Sequence, residues 1–230
     1  MKIVQVAGGW DFSLAVTVEG ELFSWGNNIF CQLGRNSSHK GSTCPARVEF
    51  PDKVKVAGVA AGLRHGLAKT DDGAVYGWGD NKRQQVVNFD DKVVCSKVQS
   101  PMRLTLPLQS KVVQVAAGAY HSGALTESGN VYSWGRADYG QLGRPCDQPY
   151  DPTPKLIQCL QHVQAVVCGS EHTLAISGDG RLYSWGWNEH GMCGTGDTNN
   201  VFIPTVVELQ AESIMLIGCG AGHSFACVKR

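Results

Sequence analysis

Thirteen residues after the last position of a Gly-x-x-His element comes a Trp-Gly pair, and this arrangement recurs four times along the chain. The pairs are Trp25-Gly26, Trp78-Gly79, Trp134-Gly135 and Trp185-Gly186, and the positions thirteen residues earlier are Phe12, His65, His121 and His172. Each of those follows a glycine by three residues: Gly9, Gly62, Gly118 and Gly169. A fifth Gly-x-x-His runs from Gly220 to His223, and successive tryptophans stand 53, 56 and 51 residues apart. Self-similarity at a period of this size marks a repeat architecture, in which each unit packs on its neighbour. A constant internal spacing with variable gaps describes one rigid unit copied four times and joined by tolerant loops.

Each copy reads as strands. In the third, Val112 to Ala116 is a β-rich apolar run, Gly118-Ala-Tyr-His121 turns the chain, and Ser122 to Thr126 forms a second run. Glu127-Ser-Gly-Asn130 is a hairpin-type turn, Val131 to Trp134 alternates again, and a Pro-containing stretch leads to a short strand at Lys155–Ile157. Short β-branched and aromatic runs bounded by Gly, Asn, Asp and Ser are strands and tight turns. No segment carries an apolar stripe at helical spacing. The expected fold is all-β, a single β-propeller-type domain over residues 1–230. Its repeats span about 1–53, 54–110, 111–161 and 162–212, with a partial repeat at 213–230. A β-sandwich gives no reason for the Trp-Gly period.

In such a repeat Trp25, Trp78, Trp134 and Trp185 fill the wedge between neighbouring units, and the glycine after each admits a close strand. Gly8, Gly62, Gly118, Gly169 and Gly220 are expected where the chain reverses, through positive φ or close backbone approach. His65, His121, His172 and His223 are read as structural by the same periodicity.

Composition narrows the function classes. Twenty basic and twenty acidic residues cancel, so no phosphate-backbone reader is expected. No apolar run approaches the length of a membrane span, and the opening Met1-Lys-Ile-Val-Gln-Val-Ala-Gly lacks the apolar region of a signal peptide. Nine cysteines without a framework favour free thiols in a reducing compartment, the cytoplasm or also the nucleus. Asn36-Ser-Ser38 matches a glycosylation acceptor, which carries little weight without a secretory signal. Cys168 with His172 and Cys219 with His223 repeat a Cys-x-x-x-His, yet other copies hold Ala61 and Ala117 at the cysteine position. Small buried residues explain them better than zinc ligands do. Cys193 beside His190 lacks a third orienting group. No phosphate-cradling glycine motif occurs. Catalytic residues, metal and cofactor are therefore all expected to be none.

Val131-Tyr-Ser-Trp-Gly-Arg-Ala-Asp-Tyr-Gly-Gln-Leu-Gly143, together with Val-Ala-Ala-Gly-x-x-His, resembles the regulator of chromosome condensation repeat family. Within it, Trp134–Arg144 and Gly169–Gly194 most resemble a guanine nucleotide exchange factor tied to secretion. The resemblance implies a seven-bladed propeller whose loops on one face engage a small GTPase, by binding energy rather than covalent chemistry. A non-catalytic scaffold for a trafficking protein is the other reading, since fold alone does not choose.

The chain departs from that pattern. About four of seven blades are present, Phe12 replaces a His, Cys31 replaces a Gly, and Asp80-Asn-Lys-Arg-Gln-Gln-Val-Val87 replaces the Gly-Gln-Leu-Gly ending. The expectation is a shortened form or fragment, its repeat two reflecting a deleted blade, that either self-associates or finds a partner through open edges or closes its four repeats into a smaller ring. Partner contacts are expected at the variable positions of Gly-x-x-His and in the loops after Trp-Gly. The candidates are Asp11, Arg64, Tyr120, Arg136, Glu171, Glu189 and His190, with Glu171 exposed. Asn27, Asn28, Asp138 and Asn188 are expected to satisfy turns.

Overall fold

The computed structural model describes residues 1–36, 39–86, 95–107, 110–210 and 213–229. The end of the Asn36-Ser-Ser38 acceptor lies outside the described residues. So do Asp90, Asp91 and Lys92, charged residues of the long gap from Asp80 to Pro101 that read in the sequence as a solvated loop or a partner-binding insertion.

Four antiparallel sheets of four strands follow one another along the chain. Sheet one holds β1 (Ile3–Gly8), β2 (Phe12–Thr17), β3 (Leu22–Asn27) and β4 (Gly41–Arg47). Sheet two holds β5 (Val56–Ala61), β6 (His65–Thr70), β7 (Val75–Asp80) and β8 (Lys97–Arg103). β9 (Val112–Ala117), β10 (His121–Thr126), β11 (Val131–Arg136) and β12 (Tyr150–Leu156) form sheet three. β13 (Val163–Cys168), β14 (His172–Ser177), β15 (Leu182–Gly186) and β16 (Val201–Val206) form sheet four. A fifth sheet has only β17 (Ser213–Cys219) and β18 (Ser224–Lys229).

The thirteen-residue spacing is a hairpin register. Phe12 pairs with Gly26, His65 with Gly79, His121 with Gly135 and His172 with Gly186, each across the same hairpin of second and third strands. The glycine that follows each tryptophan takes positive φ, 101° to 113°, and a Cβ there would strike the backbone of the Gly-x-x-His turn. In Gly79 the nearest atom is the Arg64 carbonyl oxygen at 2.5 Å. Only glycine fits both constraints.

The turn glycines act differently. They lack positive φ; a Cβ on Gly62 would sit 2.3 Å from the Gly118 carbonyl oxygen of the next sheet and 2.2 Å from its own His65 ring. Close approach is therefore the reason, and in the first copy it belongs to Gly9. Gly8, expected in that role, has nothing within 4 Å of such a Cβ.

Packing between sheets makes the core. Trp78 of sheet two joins Leu14, Val16 and Leu33 of sheet one; Trp134 joins Leu67 of sheet two; Trp185 joins Leu125 and Ile157 of sheet three. All three tryptophans are fully buried, while Trp25, on the open side of sheet one, is half-buried. The last joint, between sheet four and the two-stranded sheet, is Leu174, Ile176 and Ile217 without a tryptophan. The sheets form an open arc, with exposed Val6 at one end and exposed Met215, Leu216 and Phe225 at the other.

The fourth strand of copy three begins at Tyr150, well before the expected Lys155, and runs through Pro152 and Pro154. Prolines also stand in the other outer strands, at Pro45, Pro101 and Pro204. An edge strand has one row of N–H groups without a ladder partner, so proline costs nothing there and blocks edge-to-edge growth.

Candidate partner-binding face

The Gly-x-x-His turns and the loops after Trp-Gly lie at one end of every sheet, because backbone bonds clamp them together. Asn27 N–H donates to Asp11 O, Asp80 to Arg64 O and Arg136 to Tyr120 O, each at 2.9 Å, and Trp187 to Glu171 O at 2.8 Å. Neighbouring turns are also linked: Trp10 N–H reaches Leu63 O at 3.2 Å and Ala119 N–H reaches Ser170 O at 2.7 Å. The five turns surround a common cleft of about 260 Å³ lined largely by glycine and alanine.

Beneath this face the joints repeat one polar device. His65 Nε2 meets Ser122 Oγ at 3.0 Å, and Ser122 donates to Gln85 O at 2.6 Å, which also accepts the Trp134 indole N–H at 2.9 Å. Since the serine proton is used, the His65 Nε2 carries the proton it gives. His172, Ser224 and Met192 O repeat the chain two joints further on, and at the joint between them His121 meets Thr173 Oγ1 at 3.0 Å. Burial drives the His65 and His121 pKa values down to about 3 and His172 to about 4. At the first joint both partners change together, to Phe12 and Gly66. His223, on the open two-stranded sheet, is exposed.

Above the joints, charged and aromatic side chains cluster. Glu171 is 9% exposed, against the expectation of a free turn residue. Its Oε1 accepts from Arg136 Nη1 at 2.9 Å and its Oε2 from Gln141 Nε2 at 2.7 Å, so it ties sheet three to sheet four. Burial raises the Glu171 pKa, opposed chiefly by Arg136. Arg136 also grips Asp138 with two bonds at 2.7 and 2.9 Å and lies over the Tyr139 ring at 4.6 Å. Asp138, expected as a turn residue, is thus an ion-pair partner. Asn28 and Asn188 do serve turns, accepting from Leu33 N–H at 3.1 Å and Cys193 N–H at 2.8 Å.

Beside Glu171 opens a cleft of about 540 Å³ lined by Tyr139, Glu171, Trp187, Glu189 and Thr198 to Asn200. His190 packs its ring edge on Trp187, with centroids 5.5 Å apart. Tyr120, Arg136, Glu171, Glu189 and His190 therefore gather over sheets three and four. Arg64 stands apart, stacked 4.1 Å above the Phe30 ring. Asp11 is held at the far end by Asn27 at 2.7 Å and Gln32 at 3.0 Å.

Repeat two keeps its loop conformation despite its divergent sequence. Asn81 Oδ1 accepts from Val86 N–H at 3.0 Å, as Asn28 and Asn188 do in their copies. Gln84 (φ 56°) and Cys31 (φ 62°) adopt the left-handed conformation held by Gly140 and Gly191 elsewhere. Sequence reasoning missed the glutamines Gln32, Gln85 and Gln141, the hydroxyls Ser122, Thr173 and Ser224, and the aromatics Phe30, Tyr139 and Trp187. The signal was present for the glutamines, each seven residues after a repeat Trp, and for the hydroxyls, each one residue after a repeat His, but no aromatic recurs through all the copies.

Repeated four-stranded antiparallel sheets set side by side around a common cleft, with their turns and loops gathered on one face, define a protein of the β-propeller type. Residues 1–226 match the RCC1-like domain, and the chain belongs to that family. The mouse secretion-regulating guanine nucleotide exchange factor is 34% identical, over 97% of this chain and 64% of its own length. That alignment runs over 300 positions against a 230-residue chain, so the mouse protein carries internal segments with no counterpart here. The ultraviolet-B receptor UVR8 of Arabidopsis thaliana is 33% identical over 100% of this chain and 52% of its own. The crystal structure of Prp20p from Saccharomyces cerevisiae, reported with its binding to Gsp1p and histones, superposes with a TM-score of 0.87. It is 30% identical and covers 99% of this chain and 56% of Prp20p. The chain thus spans less than two thirds of the length of these relatives. No helix among the described residues is long and apolar enough to cross a membrane.

Proposed function

We propose that this chain is a guanine nucleotide exchange factor-like regulator of a small GTPase, linked to secretion or membrane trafficking. The observation that carries this reading is the loop face itself. Its 540 Å³ cleft is lined by Tyr139, Glu171, Trp187 and Glu189, with Arg136 bonded to Glu171, His190 packed on Trp187 and Tyr120 beside Arg136, on turns that the sheets beneath hold rigid. Its likeness to a secretion-regulating exchange factor, and to Prp20p with its Gsp1p binding, supports the partner class. Exchange on a GTPase requires only that the face bind the nucleotide-free form more tightly than the loaded one, so no proton-transfer constellation is needed. Nine free cysteines suit the reducing cytoplasm or nucleus.

A second reading, a non-catalytic scaffold, is favoured by the likeness to a light receptor at similar identity. Release of a fluorescent guanine nucleotide from a panel of small GTPases separates the two. Faster release from one member supports the exchange factor, and tight capture of a member without release supports the scaffold. Neither capture nor release from any member removes the GTPase reading.

A further inference from the structure

The three glutamines beneath the loop face are held alike but are not served alike. Each Oε1 accepts a backbone N–H two residues earlier: Phe30 on Gln32 at 2.8 Å, Arg83 on Gln85 at 2.9 Å and Tyr139 on Gln141 at 2.9 Å. That contact aims each Nε2 at the neighbouring turns. Gln32 Nε2 finds Asp11 and Gln141 Nε2 finds Glu171, both carboxylates in the same position of Gly-x-x-His. The turns beside Gln85 carry Arg64 and Tyr120 in that position. Gln85 is fully buried, and its Nε2 has no hydrogen-bond partner. The Arg64 Nε is buried and unpartnered as well.

On the Arg64 side positive charge collects over Phe30. The guanidinium of Arg64 stacks at 4.1 Å on Phe30, with Lys97 at 5.3 Å and Lys82 at 5.9 Å from the same ring. Lys97 Nζ donates to Ile29 O at 2.7 Å, and among the described residues none of the three cations forms a salt bridge. The one described carboxylate nearby, Asp80, is 1% exposed, accepts the Lys82 N–H at 3.3 Å and feels the charges of Lys82, Arg64 and Lys97, so one buried acid faces three cations. An arginine stacked on an aromatic face keeps its N–H edge free for a planar anion.

We infer that the Arg64–Gln85 joint is a docking point for a carboxylate side chain supplied by the protein partner. The incoming group does for Gln85 what Asp11 of its own copy does for Gln32 and Glu171 of the next copy does for Gln141, accepting from Arg64 and Gln85, while Lys82 and Lys97 steer it in. The partner therefore presents an acidic side chain to sheet two while another part of it occupies the Glu171 cleft. This rests on the loop face being the partner surface.

The test is fluorescence anisotropy of a fluorescein-labelled peptide of alternating glycine and glutamate, with its glutamine counterpart as control. The chain should bind the acidic peptide saturably, reject the control, and lose binding as salt rises. Arg64→Ala should weaken binding on the order of tenfold or more, as loss of a charge-assisted hydrogen bond does. Lys82→Glu, at an exposed position, should weaken it with an unchanged unfolding midpoint, so a folding defect does not mimic the result. Equal binding by wild type and Arg64→Ala, or no binding by wild type, overturns the inference. So does binding that emerges only in Asp90→Asn/Asp91→Asn, because the chain's own carboxylates would then be the occupants. Failure of nucleotide release in the panel, with peptide binding intact, removes exchange and leaves this site standing.

Discussion

The His–hydroxyl pairs show how single residues fix the joints. Ser122→Ala removes the acceptor of the buried His65 N–H and one donor to Gln85 O. It should cost about 1–3 kcal/mol in denaturant unfolding, the usual penalty for an orphaned buried group; a change within error would show that water or a shifted ring replaces the hydroxyl. Gln84→Gly should act in the opposite direction, since a left-handed non-glycine residue stores strain that glycine relieves. The gain should be about 1 kcal/mol once the added freedom of the unfolded chain is deducted. Glu171→Ala now carries two expected effects. It should lower the unfolding midpoint, because Arg136 and Gln141 lose their shared acceptor, and it should weaken partner capture. A melting temperature equal to wild type would mean that the cross-sheet ties of Glu171 contribute nothing. The repeat period made His65, His121 and His172 legible as structural. It did not expose Glu171 as a tie, because a variable turn position gives no hint of what its side chain reaches across the joint.

At the scale of the element, the hairpin and its tryptophan were readable because a fixed register must leave a fixed spacing. The outer strands were less so: Pro152 and Pro154 look like breakers until the strand is known to be an edge. Trp134→Ala should cost roughly 3–5 kcal/mol through lost burial and the cavity it leaves between sheets two and three. Well under 1 kcal/mol would show that Trp134 is no wedge. The buried histidines also make the stack acid-sensitive. Their folded pKa values, about 3 for His65 and His121 and about 4 for His172, lie below the ordinary value near 6.5. The unfolded chain therefore takes up protons that the folded chain refuses as pH falls below about 6.5. Stability should hold above pH 7 and decline between about pH 6 and 4, by about 1.4 kcal/mol per pH unit for each fully titrating histidine. A flat urea midpoint across that range would mean that these rings are protonated in the fold.

The whole molecule is an arc with two unlike ends. Sheet one offers Ser13, in the position of Ser122, with half-buried Trp25, and the last sheet offers exposed His223 with Met215, Leu216 and Phe225. Unpaired edges and apolar faces of this kind drive association, so the chain at micromolar concentration should sediment as an oligomer or with a partner. A monomer that binds no apolar dye would contradict this. The open ends were legible from the number of repeats, but the Phe30 cations were not legible, since they follow from which units stand side by side. The loop face was, because two landmarks of one hairpin end must share a side.

The central claim is that this face acts on a small GTPase. Release of a fluorescent guanine nucleotide is best measured with wild type, with His190→Ala on the exposed rim of the face, and with Glu19→Ala in the hairpin turn at the opposite end of sheet one. Acceleration by wild type that His190→Ala diminishes and Glu19→Ala retains is the predicted result. Acceleration equally lost in Glu19→Ala, or no acceleration with any GTPase, would contradict it.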